Sequence, residues 1–139
     1  MTREDRRRSI AIHENNKAVV AAFYNRCMNG GDVAAVSAVL APDFVDHSSG
    51  RAGIPDMEDF VRESHRRWPV LTYTVEDIIA EGDRVAVRWT GRGTHRTGRA
   101  AGWTGMGFYR LRDGKIAEHW ASAGTLGLVG QLELTPEEP

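Results

Sequence analysis

The sequence predicts an α+β fold in which helices come first and an antiparallel sheet follows. Between Ile10 and Trp68 apolar residues recur at helical spacing, and from Leu71 onward they alternate at strand spacing. Short turns such as Asp113-Gly114 join the later strands, which favours antiparallel neighbours. A long sheet must twist and curve, so a pocket remains if the helices do not fill its concave side.

Composition bounds the class of protein. The chain has 139 residues, 41% hydrophobic and 27% charged, which suits a single domain over residues 1–139 with disordered tails at 1–9 and 135–139. The net charge of −1 gives no reason to expect a nucleic acid or an acidic membrane as a partner. One cysteine excludes an internal disulfide, and no apolar run could span a membrane or serve as a signal peptide. The predicted location is the cytoplasm.

Three helices are predicted before the sheet. The first covers residues 10–28, where apolar side chains share one helical face and the glycines at 30 and 31 end the pattern. Asp32 can cap a second, short helix that ends at Pro42. A third helix carries Phe60 on its apolar face and ends before Pro69.

Strand spacing and turn residues define the predicted sheet. Its strands are Leu71–Ala80, Arg84–His95, Ala100–Arg112 and Lys115–Ser122, with a short extended segment at Phe44–His47. Glycines at 91, 93, 98, 102, 105 and 107 follow no phosphate-loop spacing. We interpret them as bulge and bend positions in a curved sheet.

Glu118 is the candidate proton-transfer group of the last strand. Strict alternation puts it on one face with Ile116 and Trp120. If that face is covered, loss of solvent would raise the pKa of Glu118 and make it a general acid or base. An ion pair with Arg88 or Arg110 is the alternative, and both interpretations stay open.

Two histidines are further candidates. His95 continues the face of Trp89 and could enter a pocket from its rim, or it could be a satisfied, half-buried histidine. Asp46 and His47 face opposite ways on a strand, and we expect His47 to point inward because imidazole exchanges protons near neutral pH. A zinc site of His47, His95 and His119 matches no compact motif, so no metal is predicted.

The sheet carries many large rings, which could be core packing or the walls of a ligand pocket. The sequence lacks a nucleophile elbow, a phosphate-binding loop, a CxxC pair and a dinucleotide motif, so covalent catalysis, nucleotide hydrolysis and nucleotide-dependent redox chemistry have no support. The predicted ligand-contacting side chains are Tyr24, Phe60, Arg88, Trp89, Trp103, Met106 and Trp120.

Several stretches carry a family resemblance. They include residues 40–47 (Leu-Ala-Pro-Asp-Phe-Val-Asp-His), 82–89 (Gly-Asp-Arg-Val-Ala-Val-Arg-Trp), 93–95 (Gly-Thr-His) and 113–120 (Asp-Gly-Lys-Ile-Ala-Glu-His-Trp). From about Lys17 to Leu132 the chain resembles the SnoaL-like polyketide cyclases. These belong to the superfamily that also contains nuclear transport factor 2 and ketosteroid isomerase.

The resemblance implies a cone-shaped, mixed sheet curved around about three N-terminal helices, with a central pocket for an apolar small molecule. It also implies a homodimer formed through the sheet, and acid–base chemistry without a cofactor. His47 and His95 match the family's pocket histidines, and Tyr24, Trp89 and Trp103 match wall positions.

The chain departs from the family pattern at two places. Gly124 stands where the cyclases have their acid–base aspartate, and the connection after His95 is shorter. The sequence therefore predicts a cyclase-, isomerase- or dehydratase-type enzyme acting on an apolar carbonyl compound of polycyclic or isoprenoid type, with His47, His95 and Glu118 as catalytic groups. The alternative is a non-catalytic, ligand-binding or accessory dimeric domain on the same fold.

Overall fold

The predicted α+β architecture is confirmed by a computed structural model, which describes residues 1–124 and 131–132. Its helices are α1 (Arg3–Ala22), α2 (Val36–Val39) and α3 (Gly53–Arg67), and its strands are β1 (Leu40–Asp46), β2 (Val70–Glu81), β3 (Arg84–Thr94), β4 (Ala100–Arg112) and β5 (Lys115–Ala123). The five strands form one curved, open sheet in the order β1-β5-β4-β3-β2. Strand β1 runs parallel to β5, and the other neighbours are antiparallel.

The first helix begins earlier than its apolar pattern suggests. Thr2 and Asp5 form a capping box, with each side chain bonded to the other's backbone N–H, so α1 starts inside the segment where the sequence predicts a tail. A π-helical segment, Phe23–Asn29, continues α1 and buries Tyr24. The predicted tail at 135–139 lies outside the described residues. In the part of the chain that is described, no helix is both long and apolar enough to cross a membrane.

The two faces of the sheet have opposite environments. On the concave face, Val85, Val87 and Trp89 of β3 are buried and pack against the helical layer. On the convex face, Met106 and Phe108 of β4 are 62% and 55% exposed. Buried and exposed residues therefore alternate along β3 and β4, as expected for a sheet that is covered on one side only.

A bulge in β5 changes the phase of the last strand. Leu111 of β4 pairs with Ile116, and the preceding Arg110 pairs with Glu118, so Ala117 is an extra residue on β5. As a result Ile116 is buried in the core, and Glu118 points to the convex face. The prediction that these two side chains share a face is wrong, because strict alternation does not survive an inserted residue.

Two glycines of the sheet provide clearance for aromatic rings. A Cβ atom at Gly105 would lie 2.2 Å from the ring of Trp89, and one at Gly91 would lie 2.4 Å from the ring of Trp103. These glycines therefore let large rings lie flat against the concave face, which differs from the bends predicted from sequence. Gly98, with φ of 90°, does occupy a turn.

Candidate functional site

A cavity of about 210 Å³ lies between the helices and the concave face. Its apolar wall consists of Phe23, Met28, Met57, Phe60, Trp89, Ala121 and Ala123. Its polar lining consists of Tyr24, Asp46, Tyr73, Tyr109 and His119. The combination of aromatic walls and a few convergent polar groups is typical of a small-molecule site.

Asp46 and His119 form the charged end of this cavity. The parallel pairing of β1 with β5 sets them directly opposite each other, and both side chains are close to nine-tenths buried. His119 Nδ1 lies 3.6 Å from Asp46 Oδ2, within ion-pair reach. His119 Nε2 is buried and has no hydrogen-bond partner among the described residues. The pair therefore offers one unused ring nitrogen next to a carboxylate.

The loop after β1 keeps Asp46 ionised. The backbone N–H of Ser48 and the hydroxyl of Ser49 each donate a hydrogen bond of 2.9 Å to its carboxylate. Burial alone would raise the pKa of Asp46, but the interaction with His119 and these hydrogen bonds outweigh it and lower the pKa to about 2. A charged carboxylate beside Nδ1 favours the tautomer with a proton on Nδ1, which leaves the Nε2 lone pair available.

Two tyrosine hydroxyls meet at the same end of the cavity. The Tyr24 and Tyr109 oxygens are 2.5 Å apart, and the Tyr109 ring stacks on His119 with centroids separated by 4.3 Å. Burial raises the pKa of both tyrosines above the usual value of a phenol, so both keep their protons. The site thus combines a carboxylate–imidazole pair with neutral hydroxyl donors.

Glu118 and His47 lie on the convex face, outside the cavity. His47 Nε2 bonds Glu118 Oε1 at 3.0 Å, Arg110 donates to the other carboxylate oxygen, and the His47 ring stacks on Trp120. The ion pair with Arg110, joined by the hydrogen bond from His47, lowers the pKa of Glu118. Of the two interpretations left open for Glu118, the ion pair with Arg110 is the one found, and the pKa falls instead of rising. The prediction that His47 is the inward member of its pair is wrong, because Asp46 takes that position.

His95 is buried in the connection after β3 and does not line the cavity. Its ring packs edge-on against Trp68 with centroids 5.0 Å apart, and its Nδ1 lies 3.1 Å from the Thr97 hydroxyl. The three histidines considered for zinc therefore lie apart, with His47 on the convex face and His119 on the concave face. In residues 1–124 and 131–132, no group of three metal-binding side chains is assembled.

Three of the predicted ligand-contacting side chains do line the cavity: Tyr24, Phe60 and Trp89. Trp103 lies beyond them, where its ring packs against Tyr73 with centroids 6.0 Å apart.

The remaining three, Arg88, Met106 and Trp120, are on the convex face. Arg88 forms an ion pair with Asp77 at 2.7 Å, and Met106 is largely exposed. Arg88 and Met106 alternate with residues that face the core. Trp120 points to the convex face because the bulge at Ala117 reverses the direction of the residues that follow it in β5. The three side chains therefore do not line the concave cavity, and their predicted contact with a ligand has no support there.

Sequence reasoning missed Asp46, His119 and Tyr109 as cavity residues. One signal could have found Asp46, because it shares its strand parity with Phe44, a large side chain that is fully buried. No comparable signal exists for His119, since its direction depends on the bulge at Ala117.

Gly124 follows the end of β5, where the resemblance places an aspartate. It is exposed, its N–H bonds the Thr104 carbonyl at 3.3 Å, and a Cβ atom there would meet nothing within 4 Å. The position could hold a side chain but supplies none. The only carboxylate among the described cavity-lining residues is that of Asp46.

Comparison with known proteins agrees with this architecture. The structure is similar to TsrD from Streptomyces laurentii, with 24% identity, a TM-score of 0.81 and coverage of 88% of this chain and 97% of that one. It is similar to IdmH, a proposed polyketide cyclase from Streptomyces antibioticus, with 29% identity, a TM-score of 0.74 and coverage of 86% and 99%. AclR, a proposed hydroxylase from Streptomyces galilaeus, shares 28% identity with a TM-score of 0.77 and coverage of 87% and 97%.

No protein with a curated description matches the chain. The family profile of the SnoaL-like polyketide cyclases matches residues 18–132, which is most of the sequence. The chain therefore belongs to the SnoaL-like polyketide cyclase family.

Proposed function

We propose that the protein is a cofactor-free acid–base enzyme of the cyclase, isomerase or dehydratase type, acting on an apolar small molecule that carries a carbonyl group. The observation that carries this proposal is the Asp46–His119 pair, which lines the cavity and leaves His119 Nε2 without a partner among the described residues. The similarity to IdmH, which is described as a proposed polyketide cyclase, supports the same class of reaction.

In the proposed reaction, Nε2 of His119 removes a proton from a carbon next to the carbonyl group. The electrons of the broken C–H bond form a C–C double bond, and those of the carbonyl bond move to its oxygen, giving an enolate. The Asp46 carboxylate stabilises the imidazolium that forms, as an acid partner does in other histidine-based sites. The imidazolium then returns its proton to another carbon in an isomerase or to a leaving hydroxyl in a dehydratase. In a cyclase the enolate carbon attacks a second carbonyl carbon of the same molecule, and the alkoxide that forms takes the proton.

Asp46 supplies in this proposal the negative charge that the family pattern places at position 124. It reaches the cavity from β1 rather than from the end of β5. His47, His95 and Glu118 lie outside the cavity lining, so we no longer assign them to the chemistry.

Exchange of carbon-bound protons for deuterium tests the proposal without knowledge of the natural substrate. A panel of aryl and cyclic ketones is incubated with the protein in D₂O, and loss of the α-proton signals is followed by NMR. We expect the wild type to accelerate exchange for at least one ketone, and His119→Gln to remove the acceleration. Equal exchange with and without the protein over a broad panel, or an undiminished rate in His119→Gln, would contradict it.

A non-catalytic ligand-binding domain is the second candidate, and Gly124 is the observation that favours it. Without the family's aspartate, the cavity could hold a ligand and leave it unchanged. Saturable binding of a ketone with no α-proton exchange at any pH between 5 and 9 would select this alternative.

We also propose a homodimer formed through the convex face. Ile79, Met106 and Phe108 expose 69%, 62% and 55% of their surface there, beside charges of both signs such as Arg88 and Asp77. Burial of large apolar side chains between charged rims is typical of such an interface. Phe108→Arg should convert a dimer to a monomer in analytical ultracentrifugation, and a monomeric wild type would contradict the proposal. The cytoplasm stays the predicted location.

A further inference from the structure

We infer that the cavity binds a neutral ligand of about single-ring size, whose oxygen is held by the Tyr24–Tyr109 hydroxyl pair. The inference takes the location of the site from the proposed function, and it adds the size, the charge and the orientation of the ligand. It differs from the sequence-based prediction, which names an apolar carbonyl compound of polycyclic or isoprenoid type.

The volume of the cavity sets the size of the ligand. A dry cavity of about 150 Å³ engineered in another protein holds one benzene molecule. The present cavity, at about 210 Å³, is larger by roughly the liquid volume of two water molecules. One ring with a short substituent therefore matches the volume of the cavity, and three fused rings exceed it.

The wall behind the ligand site resists expansion. Trp89 is buried, and its ring lies across Gly105, where even a methyl group would collide with it at 2.2 Å. The same ring packs edge-on against Tyr73 with centroids 5.1 Å apart. Because the ring is held between the sheet and Tyr73, it cannot move back to admit a larger molecule without disrupting the core.

The charge of the lining selects a neutral ligand. Asp46 lines the cavity as a carboxylate, and its low pKa keeps it negative throughout the neutral range. No arginine or lysine stands among the described residues that line the cavity. A carboxylate or phosphate in the ligand would therefore lie near a like charge in a poorly solvated space, which disfavours binding.

Counting hydroxyl protons gives the orientation of the ligand. The pair of tyrosines has two protons, and the bond between the oxygens uses one of them. No other hydrogen bond to either hydroxyl is found within residues 1–124 and 131–132, so one O–H remains to donate to a ligand oxygen. Tyr109 stacks on His119, so a carbonyl bound by the tyrosines lies at the same end of the cavity as the imidazole.

Four commercial compounds test size, charge and orientation by calorimetric titration. Acetophenone has one ring and a carbonyl, ethylbenzene lacks the oxygen, benzoate adds a negative charge at similar size, and anthrone is a ketone with three fused rings. We expect acetophenone to bind, ethylbenzene to bind roughly tenfold more weakly through loss of one hydrogen bond, and the other two not to bind. Anthrone or benzoate binding as tightly as acetophenone, or no binding by any compound, would overturn the inference.

Tyr24→Phe tests the hydroxyl pair with little change in shape. It should weaken acetophenone binding by roughly tenfold and leave ethylbenzene within about twofold, since only acetophenone uses the hydroxyl. An equal loss for both ligands, or no loss for either, would overturn the assigned orientation. Binding of acetophenone without α-proton exchange would support this inference and contradict the proposed enzyme. Exchange on a fused-ring ketone alone would support the proposed enzyme and contradict this inference.

Discussion

Two histidine–carboxylate pairs lie where the end of β1 meets β5, one on each face of the sheet. On the concave face His119 and Asp46 lie 3.6 Å apart, and their side chains are 13% and 12% exposed. On the convex face His47 and Glu118 are 3.0 Å apart, with 40% and 27% of their side chains exposed. Asp46 ends β1 and His47 follows it, while Glu118 and His119 are consecutive in β5, so each of these two segments gives one residue to each pair.

The two pairs contain the same chemical groups. Their surroundings differ, and only those of the inner pair suit proton transfer. The outer carboxylate is shared with Arg110, and the outer His47 Nε2 is already bonded to it, in contact with solvent that screens the interaction. The inner Nε2 is buried and has no partner among the described residues, and a charge interaction is stronger in such low-dielectric surroundings. The face of the sheet, more than the residue type, decides which histidine can react.

Replacing the two histidines in turn should give the largest contrast. We predict that His119→Gln lowers the rate of α-proton exchange by about 10²- to 10⁴-fold, the usual contribution of a general base. His47→Gln should leave the rate within about twofold, because it lies on the other face. The rates are measured by NMR in D₂O on variants whose circular dichroism matches the wild type, and equal losses in both variants would contradict the assignment.

Adding a methyl group to the concave face of the sheet should destabilise the protein more than adding one to the convex face. At Gly105 the new Cβ would collide with the buried Trp89 ring at 2.2 Å, and we predict a destabilisation of about 1–3 kcal/mol for Gly105→Ala in urea unfolding. Gly102→Ala is the control on the same strand, where the closest atom would be 3.7 Å away. Similar unfolding midpoints for the two variants would show that the ring is not packed against the sheet.

Acid unfolding should distinguish the inner carboxylate. The pKa of Asp46 falls from 3.8 to about 2 on folding, so its charge stabilises the protein fully above pH 3.8 and this contribution is lost as the pH falls toward 2. We predict that Asp46→Asn is less stable than the wild type at pH 7, and that the difference shrinks between about pH 5 and pH 2. Urea midpoints at a series of pH values measure it, and a difference independent of pH would exclude the low pKa.

The smallest effect is expected for the outer carboxylate. Glu118→Gln keeps the shape of the side chain and removes an ion pair that solvent reaches, so the urea midpoint should change little and less at high salt. Comparison of the midpoint at low and high salt checks the prediction. A loss larger than that of Asp46→Asn would mean that the outer pair is the more important one for stability.

Much of the fold could be predicted from the sequence because its patterns are local. The turn at Asp113-Gly114 and the alternation of β3 follow from residues close in the chain. The cavity positions of Tyr24 and Trp89 agree with what the family resemblance implies. The order and direction of the antiparallel strands follow from their short connections.

The candidate site depended on information that is not local. Strict alternation assigns Glu118 to the side of Ile116, and the extra residue at Ala117 reverses that assignment. Between Asp46 and His47, the reactivity of imidazole favoured His47 as the inward residue, which is wrong. Asp46 faces inward beside His119, which lies more than seventy residues away in the chain and is its partner between the parallel strands β1 and β5. Bulges and parallel pairing are therefore where the sequence-based prediction fails.

The most direct test of the inner pair is to observe the histidine side chains while the cavity fills. Two-bond ¹H–¹⁵N NMR spectra of the ¹⁵N-labelled protein resolve the ring nitrogens of its five histidines, and acetophenone is the titrant. We predict that the Nε2 signal of His119 shifts with saturation and that His47 stays unchanged. A shift at His47 with none at His119 would contradict the assignment of the reactive face.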